Sequence, residues 1–323
     1  MKRFAAAFFL AVLLAATLTA AADKMPPLNP LKGTPSLPEA KHPDHFVFVV
    51  TGDNRPESDK LPPTEVVKEI FKNIKKLGPA FVLWTGDIIY GKDSSDPDKI
   101  NTEYKDFLKD AAKADTPIFN APGNHEMNDK NNCPSDKLLK LYLDDNGQDE
   151  PYGSFDYGHS HFIALDSDEA ADSDACDCSK QPKGTKPPGF IGKKQMDRLK
   201  KDLDDNEKAD HIFIFLHRPL VGYEKEDQLC PSNVTAMQDM FTKHPNVSYI
   251  VAGHQHMYYN PQGKDEFGPP PTRTDPSPKP YYLVSGGAGA PLRKKGFYHY
   301  LIFTVDGAQV SVQLVPVEAK DSD

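Results

Sequence analysis

The sequence predicts an α/β protein of two stacked sheets with helices on the outside, in one domain, and three observations predict it. Apolar runs of strand length alternate with segments of helical periodicity through the early part of the chain. The late part keeps the strands and drops the helices. Polar residues stand just after most strands, as they do where loops gather at the carboxyl ends of a sheet. At 323 residues, 38% hydrophobic and 10% aromatic, the chain can bury such a core.

Taken in order, the chain opens with Lys2-Arg3, an apolar stretch from Phe4 to Leu18, and Ala20-Ala21-Ala22. This reads as a signal peptide over residues 1–22 cleaved after Ala22, and predicts an exported protein. A retained membrane anchor is the alternative, but the apolar run is short for a span and no later stretch reaches that length. The whole chain carries a net charge of −9, and that balance speaks against nucleic acid as a partner. Residues 23–45 are a Pro-rich leader, residues 46–317 the domain and residues 318–323 a tail.

Phe46 to Val50 reads as a strand buried on both faces, ending at Thr51-Gly52-Asp53-Asn54-Arg55. Pro62-Pro63-Thr64 opens a helix with Val66, Val67, Ile70, Phe71, Ile74 and Leu77 on one face, closed by Gly78-Pro79. The unit repeats: Phe81 to Trp84 is a strand ending at Thr85-Gly86-Asp87-Ile88-Ile89-Tyr90, with a helix around Tyr104 to Ala112. Thr116 to Ala121 is a third strand, stopping at Pro122-Gly123-Asn124-His125-Glu126. Tyr152 to Asp156 and His161 to Asp166 form a hairpin. Residues 167–190, rich in Asp, Lys, Pro and Gly and holding two cysteines, are a disulfide-tethered surface insertion near the site.

A helix over Lys193 to Asn206 returns the chain to Ile212–Leu216, which ends at His217-Arg218-Pro219. A helix near Val234 to Phe241 leads to the strand Val247–Ala252, ending at Gly253-His254-Gln255-His256. Beyond a Pro- and Gly-rich loop at 260–280, segments 281–285, 298–305 and 309–315 look antiparallel, with Gly286-Gly287-Ala288-Gly289 as a close-packed turn beside the site. The four cysteines favour two disulfides. Cys176-Asp177-Cys178 is an awkward self-pair, so each bridges elsewhere, to Cys133 and Cys230. A thiolate metal site is the alternative, without Cys-x-x-Cys spacing to support it.

Five strand ends thus carry Asp53, Asp87, Asn124 with His125, His217, and His254 with His256. Any one of them reads alone as a turn or a structural residue. Together, carboxylate, amide and imidazole make the ligand set for a pair of Zn, Mn or Fe ions. In motif order the sequence resembles the calcineurin-like metallophosphoesterase superfamily, over roughly residues 46–290. Gly86-Asp87, Gly123-Asn124-His125-Glu126, His217 and Gly253-His254-Gln255-His256 carry the resemblance.

The resemblance implies a four-layer α/β/β/α sandwich of two mixed sheets and a hydrolase that cleaves phosphate monoesters with a metal-bound hydroxide at a binuclear centre. Asp87 would bridge both metals, Asn124, His217 and His254 would bind one, and Asp53 and His256 the other. His125 would protonate the leaving oxygen or stabilise the transition state. The partner implied is a small phosphorylated substrate, either a monoester or, in the rival reading, a diester of nucleotides or lipid headgroups.

The first motif departs from the pattern, because Arg55 stands where the family places a metal-binding histidine. A guanidinium cannot ligate a metal but suits a substrate phosphate. Gly86-Asp87-Ile88-Ile89-Tyr90 looks like the Gly-Asp-x-x-Tyr motif of purple acid phosphatases, which implies Tyr90 as the ligand that fills the place; a core tyrosine is the plainer reading. The missing histidine also leaves open a non-catalytic relative that binds a phosphorylated ligand or a single metal.

Overall fold

The computed structural model describes residues 23–92, 96–172, 175–182, 185–270, 272 and 280–318. The signal peptide expected over 1–22 and most of the tail lie outside them. The strands are β1 (His45–Thr51), β2 (Val82–Trp84), β3 (Ile118–Asn120), β4 (Gly153–Tyr157), β5 (Ser160–Leu165), β6 (His211–Leu216), β7 (Val247–Ala252), β8 (Tyr258–Tyr259), β9 (Tyr281–Ser285), β10 (His299–Asp306) and β11 (Gln309–Pro316). The helices are α1 (Glu65–Leu77), α2 (Pro97–Ala111), α3 (Asn124–Met127), α4 (Asp136–Asn146), α5 (Lys193–Asp205) and α6 (Pro231–Lys243).

Two mixed sheets form, in the orders β11-β10-β1-β2-β3 and β4-β5-β6-β7-β9-β8. Their strands alternate in what they bury, and this makes the layers. Phe46, Phe48 and Val50 of β1 meet Phe213 and Phe215 of β6 and Tyr249 of β7 in an aromatic-rich core between the sheets. Phe48 stacks on Phe303 and stands edge-on to Phe213. The opposite face of the first sheet, with Val49 and Trp84, packs on α1, α2 and α4. The opposite face of the second, with Ile212, Ile214 and Leu216, packs on Leu199 and Leu203 of α5 and Met237 and Phe241 of α6. The result is the α/β/β/α sandwich expected.

Helix ends follow the sequence signals. Thr64 caps α1 by accepting from Val67 N, and Gly78 closes it in the left-handed region at φ 62°. The helix α4 has no counterpart in the sequence reading; its buried Leu138 and Tyr142 are spaced for one face, but Leu139, Leu141 and Leu143 blur that stripe. The Pro-rich leader is drawn into the fold, because its apolar residues find cores to enter: Met25, Leu28 and Leu31 are buried, and Leu31 N donates to Ile118 O.

β1, β2 and β3 run parallel, as do β5, β6 and β7. Their carboxyl ends therefore lie on one edge of each sheet, and the residues just beyond them converge.

The cysteines pair as Cys133–Cys178 and Cys176–Cys230, so neighbouring Cys176 and Cys178 each bridge away from the other. Among the described residues no helix is long and apolar enough to cross a membrane.

Candidate active site

Each strand end delivers its residue through a bend. Among the described residues eight non-glycines have positive φ, and six of these are Asp53, Asp87, Lys92, Asn132, His254 and His256. Left-handed backbone costs on the order of 1 kcal/mol per residue, and this concentration marks a place where geometry is imposed. The chain also comes close to itself here. A Cβ on Gly286 would sit 2.7 Å from Asp53 Oδ2 and one on Gly253 2.2 Å from it, so the glycine turn lies against the site as expected.

Asp53 and Asp87 are fully buried, and with His217 they place one ligand atom each within 4.8 Å of the others. Asp53 accepts from His254 N at 2.9 and 3.0 Å, and His256 Nε2 lies 3.4 Å from Asp53 Oδ1. Asp87 Oδ1 accepts from His125 N and lies 3.2 Å from His217 Nε2. That same Nε2 is 3.1 Å from Asn124 Oδ1 and 3.0 Å from His254 Nδ1.

Proton positions decide what this knot can do. His217 Nδ1 donates to Thr85 O at 2.7 Å, and His256 Nδ1 donates to Pro291 O at 2.7 Å. In each neutral imidazole the other nitrogen is then a lone pair, and it faces oxygens that are themselves acceptors. Burial and Arg55 lower His256 to about 4, and burial with Arg218 and His217 holds His254 well below the usual imidazole range. Burial and the nearby Asp87 raise Asp53 well above the usual carboxylate range. Lone pairs crowded on oxygens, beside two buried carboxylates, fit bound cations.

The remaining motif residues frame the centre. Glu126 accepts from the backbone N–H groups of Asp87, Ile88, Ile89 and Gly123, which locks the second strand end to the third. Burial and Asp87 raise its carboxyl to about 8. His125 donates Nδ1 to Tyr90 O and leaves Nε2 3.9 Å from Asp87 Oδ2. Burial holds its pKa well below the usual range. Arg55 Nε is 3.5 Å from Asp87 Oδ2. The Tyr90 ring stands edge-on to His125, with centroids 5.7 Å apart. Arg218 is buried: Nε donates to Asp168 Oδ1 at 2.8 Å, and Nη1 reaches Pro187 O and His254 Nε2.

Arg55, Asp87, Asn124, His125, Arg218, His254 and His256 open into a cavity of about 150 Å³, which also takes Lys92, Asn132, Lys186 and Arg293 into its lining, while Tyr90 lies behind His125 and outside that lining. None of these four was singled out from the sequence. The basic run Arg293-Lys294-Lys295 just past the glycine turn was the available signal for one of them. His159, His161, His211, His244 and His299 stay outside the centre, in local pairs. Asn233, the first residue of an Asn-Val-Thr sequence, is buried with its amide bonded to the Ile191 backbone.

The calcineurin-like phosphoesterase profile matches residues 46–258. The chain belongs to the calcineurin-like phosphoesterases. The solved structure of a dimetal phosphatase from Danio rerio superposes with a TM-score of 0.63 at 14% identity, over 84% of this chain and 97% of that one. GAP50 of Plasmodium, the anchor in the inner membrane complex, does so with a TM-score of 0.55 at 14% identity, over 86% of each. At these identities the likeness speaks for the fold. No curated protein matches the sequence. As a calcineurin-like phosphoesterase the chain is a metal-dependent phosphoric ester hydrolase, and its buried Asp53, Asp87 and His217 form a group able to bind metal.

Proposed function

We propose that this protein is an exported phosphate monoesterase working with two metal ions drawn from Fe, Mn and Zn. The observation that carries the reading is the convergence of Asp53, Asp87, Asn124, His217, His254 and His256, from five strand ends, in one buried knot of carboxylate, amide and imidazole atoms. Asn124 Oδ1, His217 Nε2 and His254 Nδ1 would hold one ion, Asp53 and His256 Nε2 the other, and Asp87 would share its carboxylate between them. Tyr90 would complete the second set, in the place that Arg55 cannot serve. Bound ions supply a lowered pKa for water and neutralise charge on the phosphoryl oxygens.

The protein's own groups do the rest. Arg55 presents its fork to the phosphoryl oxygens and offsets Asp87. His125, fixed by Tyr90 O, aims Nε2 into the cavity, where a bound phosphate anion favours its protonated form and places a proton at the leaving oxygen. Glu126 keeps the two strand ends in register. The monoester reading rests on enclosure: the insertion brings Lys186 into the lining of a charged cavity of about 150 Å³ and sets Pro187 O against Arg218, which favours a substrate with a single ester arm. Export is supported by the N-terminal pattern and by two disulfides, which persist in oxidising compartments.

The test is hydrolysis of an aryl phosphate monoester and diester after chelation, then after adding back Mn, Zn or Fe, with bound metal counted. Activity on the monoester that vanishes and returns with two ions per chain is expected; diester preference, or silence with any metal, overturns the reading. A visible tyrosinate-to-iron band that disappears in Tyr90→Phe would put Tyr90 on the metal.

A further inference from the structure

The centre already described accounts for one phosphoryl group, yet the cavity gathers five basic side chains: Arg55, Lys92, Lys186, Arg218 and Arg293. This happens in a chain whose net charge is −9, so the cations are concentrated here against the overall balance. Arg218 is tied to Asp168, and Arg293 to Glu224 and Asp227. Lys186 lies 3.5 Å from Asp227 Oδ1 and keeps 57% of its side chain exposed, at the mouth.

Lys92 differs from these. Among the described residues its ammonium has no carboxylate within ion-pair distance, and its hydrogen-bond partner is the neutral Asn132 Oδ1, at 2.8 Å. Lys92 and Asn132 both hold left-handed backbone, at φ 67° and 59°. Lys92 N donates to His125 O, and a Cβ on the adjacent Gly91 would fall 1.8 Å from that same oxygen, so the loop is pressed onto the catalytic segment. Two bent loops therefore converge to hold, at the cavity wall, an ammonium that among the described residues has no carboxylate within ion-pair distance. Cys133–Cys178 links the Asn132 turn to the insertion that supplies Lys186.

We infer that Lys92, Asn132 and Lys186 form a subsite for a second phosphoryl group, so that the preferred substrate is a phosphate ester or anhydride whose leaving group itself carries phosphate. The inference rests on the monoesterase reading for where the first phosphoryl group sits. Asn132 accepts from Lys92 and thereby orients the ammonium, while its own amide N–H₂ can donate. Lys186, half-exposed, closes over the outer oxygens. Charge-assisted contacts of this kind favour a dianion over the neutral arm of an ordinary monoester.

The experiment compares inorganic pyrophosphate with orthophosphate on the metal-saturated protein. Binding is read by calorimetry and by competition against an aryl phosphate, with metal content measured afterwards. Pyrophosphate should bind at least tenfold tighter, with the preference shrinking as salt rises. Lys92→Gln and Lys186→Gln should each cut that ratio at least threefold. A ratio within twofold of one overturns the subsite, and so does a preference that both variants leave intact, which would belong to the metals. If Lys92→Gln fails to fold, the exposed Lys186→Gln decides alone. Absence of aryl phosphate hydrolysis would sink the monoesterase reading, while the calorimetric ratio still reports on the subsite.

Discussion

The floor of the cleft and its rim are built on different kinds of backbone. Asp53, Asp87, Asn124, His217 and His254 stand one to four residues beyond buried strands, and their side chains are almost wholly enclosed. Lys92, Asn132, Lys186 and Arg293 come from loops, held by one another, by the insertion and by disulfides. The floor is fixed by two sheets that cannot shift without disturbing the aromatic core between them. The rim can change residue by residue and leave the floor in place. On the proposed reading, chemistry and choice of substrate fall to separate parts of the chain.

Substitutions can test that separation. Asn124→Ala or His254→Ala should lower kcat by about a thousandfold or more and reduce bound metal, with the circular dichroism spectrum retained. Substantial remaining turnover would remove them from the centre. His125→Ala should cost between about 10² and 10⁴ in kcat on an alkyl ester and less on an aryl ester, whose leaving group needs no proton, with metal content unchanged. Equal losses on both esters would deny His125 the proton transfer.

Arg55→Ala should lower kcat/KM by roughly ten- to a hundredfold, as loss of a charged hydrogen-bonding partner does, and bind as much metal as the parent. Arg55→Lys should recover only part of the loss; full recovery would reduce Arg55 to a point charge.

Cys176→Ser with Cys230→Ser acts on the rim alone. Opening a bridge across 54 residues should destabilise by about 4 kcal/mol, a fall of roughly 10 °C in Tm, with kcat on an aryl phosphate changing by no more than a few-fold. A collapse of kcat would show that floor and rim are one unit.

His161 supplies a measurement away from both. Burial alone would lower its pKa, but Asp156 and Asp202 outweigh that and push it up to about 9. A folded pKa raised above the unfolded 6.5 means that its contribution to stability is complete below about pH 6.5 and lost as pH climbs through 9. His161→Gln should flatten the stability profile over that window and leave turnover alone.

The floor was legible in the sequence because its signal is local. An apolar run that stops at Gly-Asp or Gly-Asn-His needs only strand length and turn chemistry to be read, and parallel topology then gathers the ends. The rim has no such pattern. Lys92 looks like any loop lysine, and only the approach of Gly91 to His125 O, 34 residues away along the chain, turns it into the cavity. Asp227 and Asp168 hide for the same reason: what makes each matter is an arginine brought by folding. The helix α4 escaped because too many leucines spoil its period. Arg55 could be found by position, since it occupies the place of an expected histidine, and its 3.5 Å approach to Asp87 keeps it beside the centre.

The paired cysteines of the insertion carry a consequence for maturation. Cys176 and Cys178, two residues apart, reach to opposite halves of the sandwich: Cys133 ahead of α4, and Cys230 at the start of α6. The swapped isomer, Cys133 with Cys176 and Cys178 with Cys230, closes two loops only two residues shorter than the native ones. Chain entropy does not tell such loops apart. The choice falls to the small buried cluster of Cys176, Phe190 and Cys230, which exists only once the insertion has docked. Oxidation that runs ahead of docking would trap a mixture of isomers, so the yield of this protein should depend on an environment where disulfides can still be reshuffled.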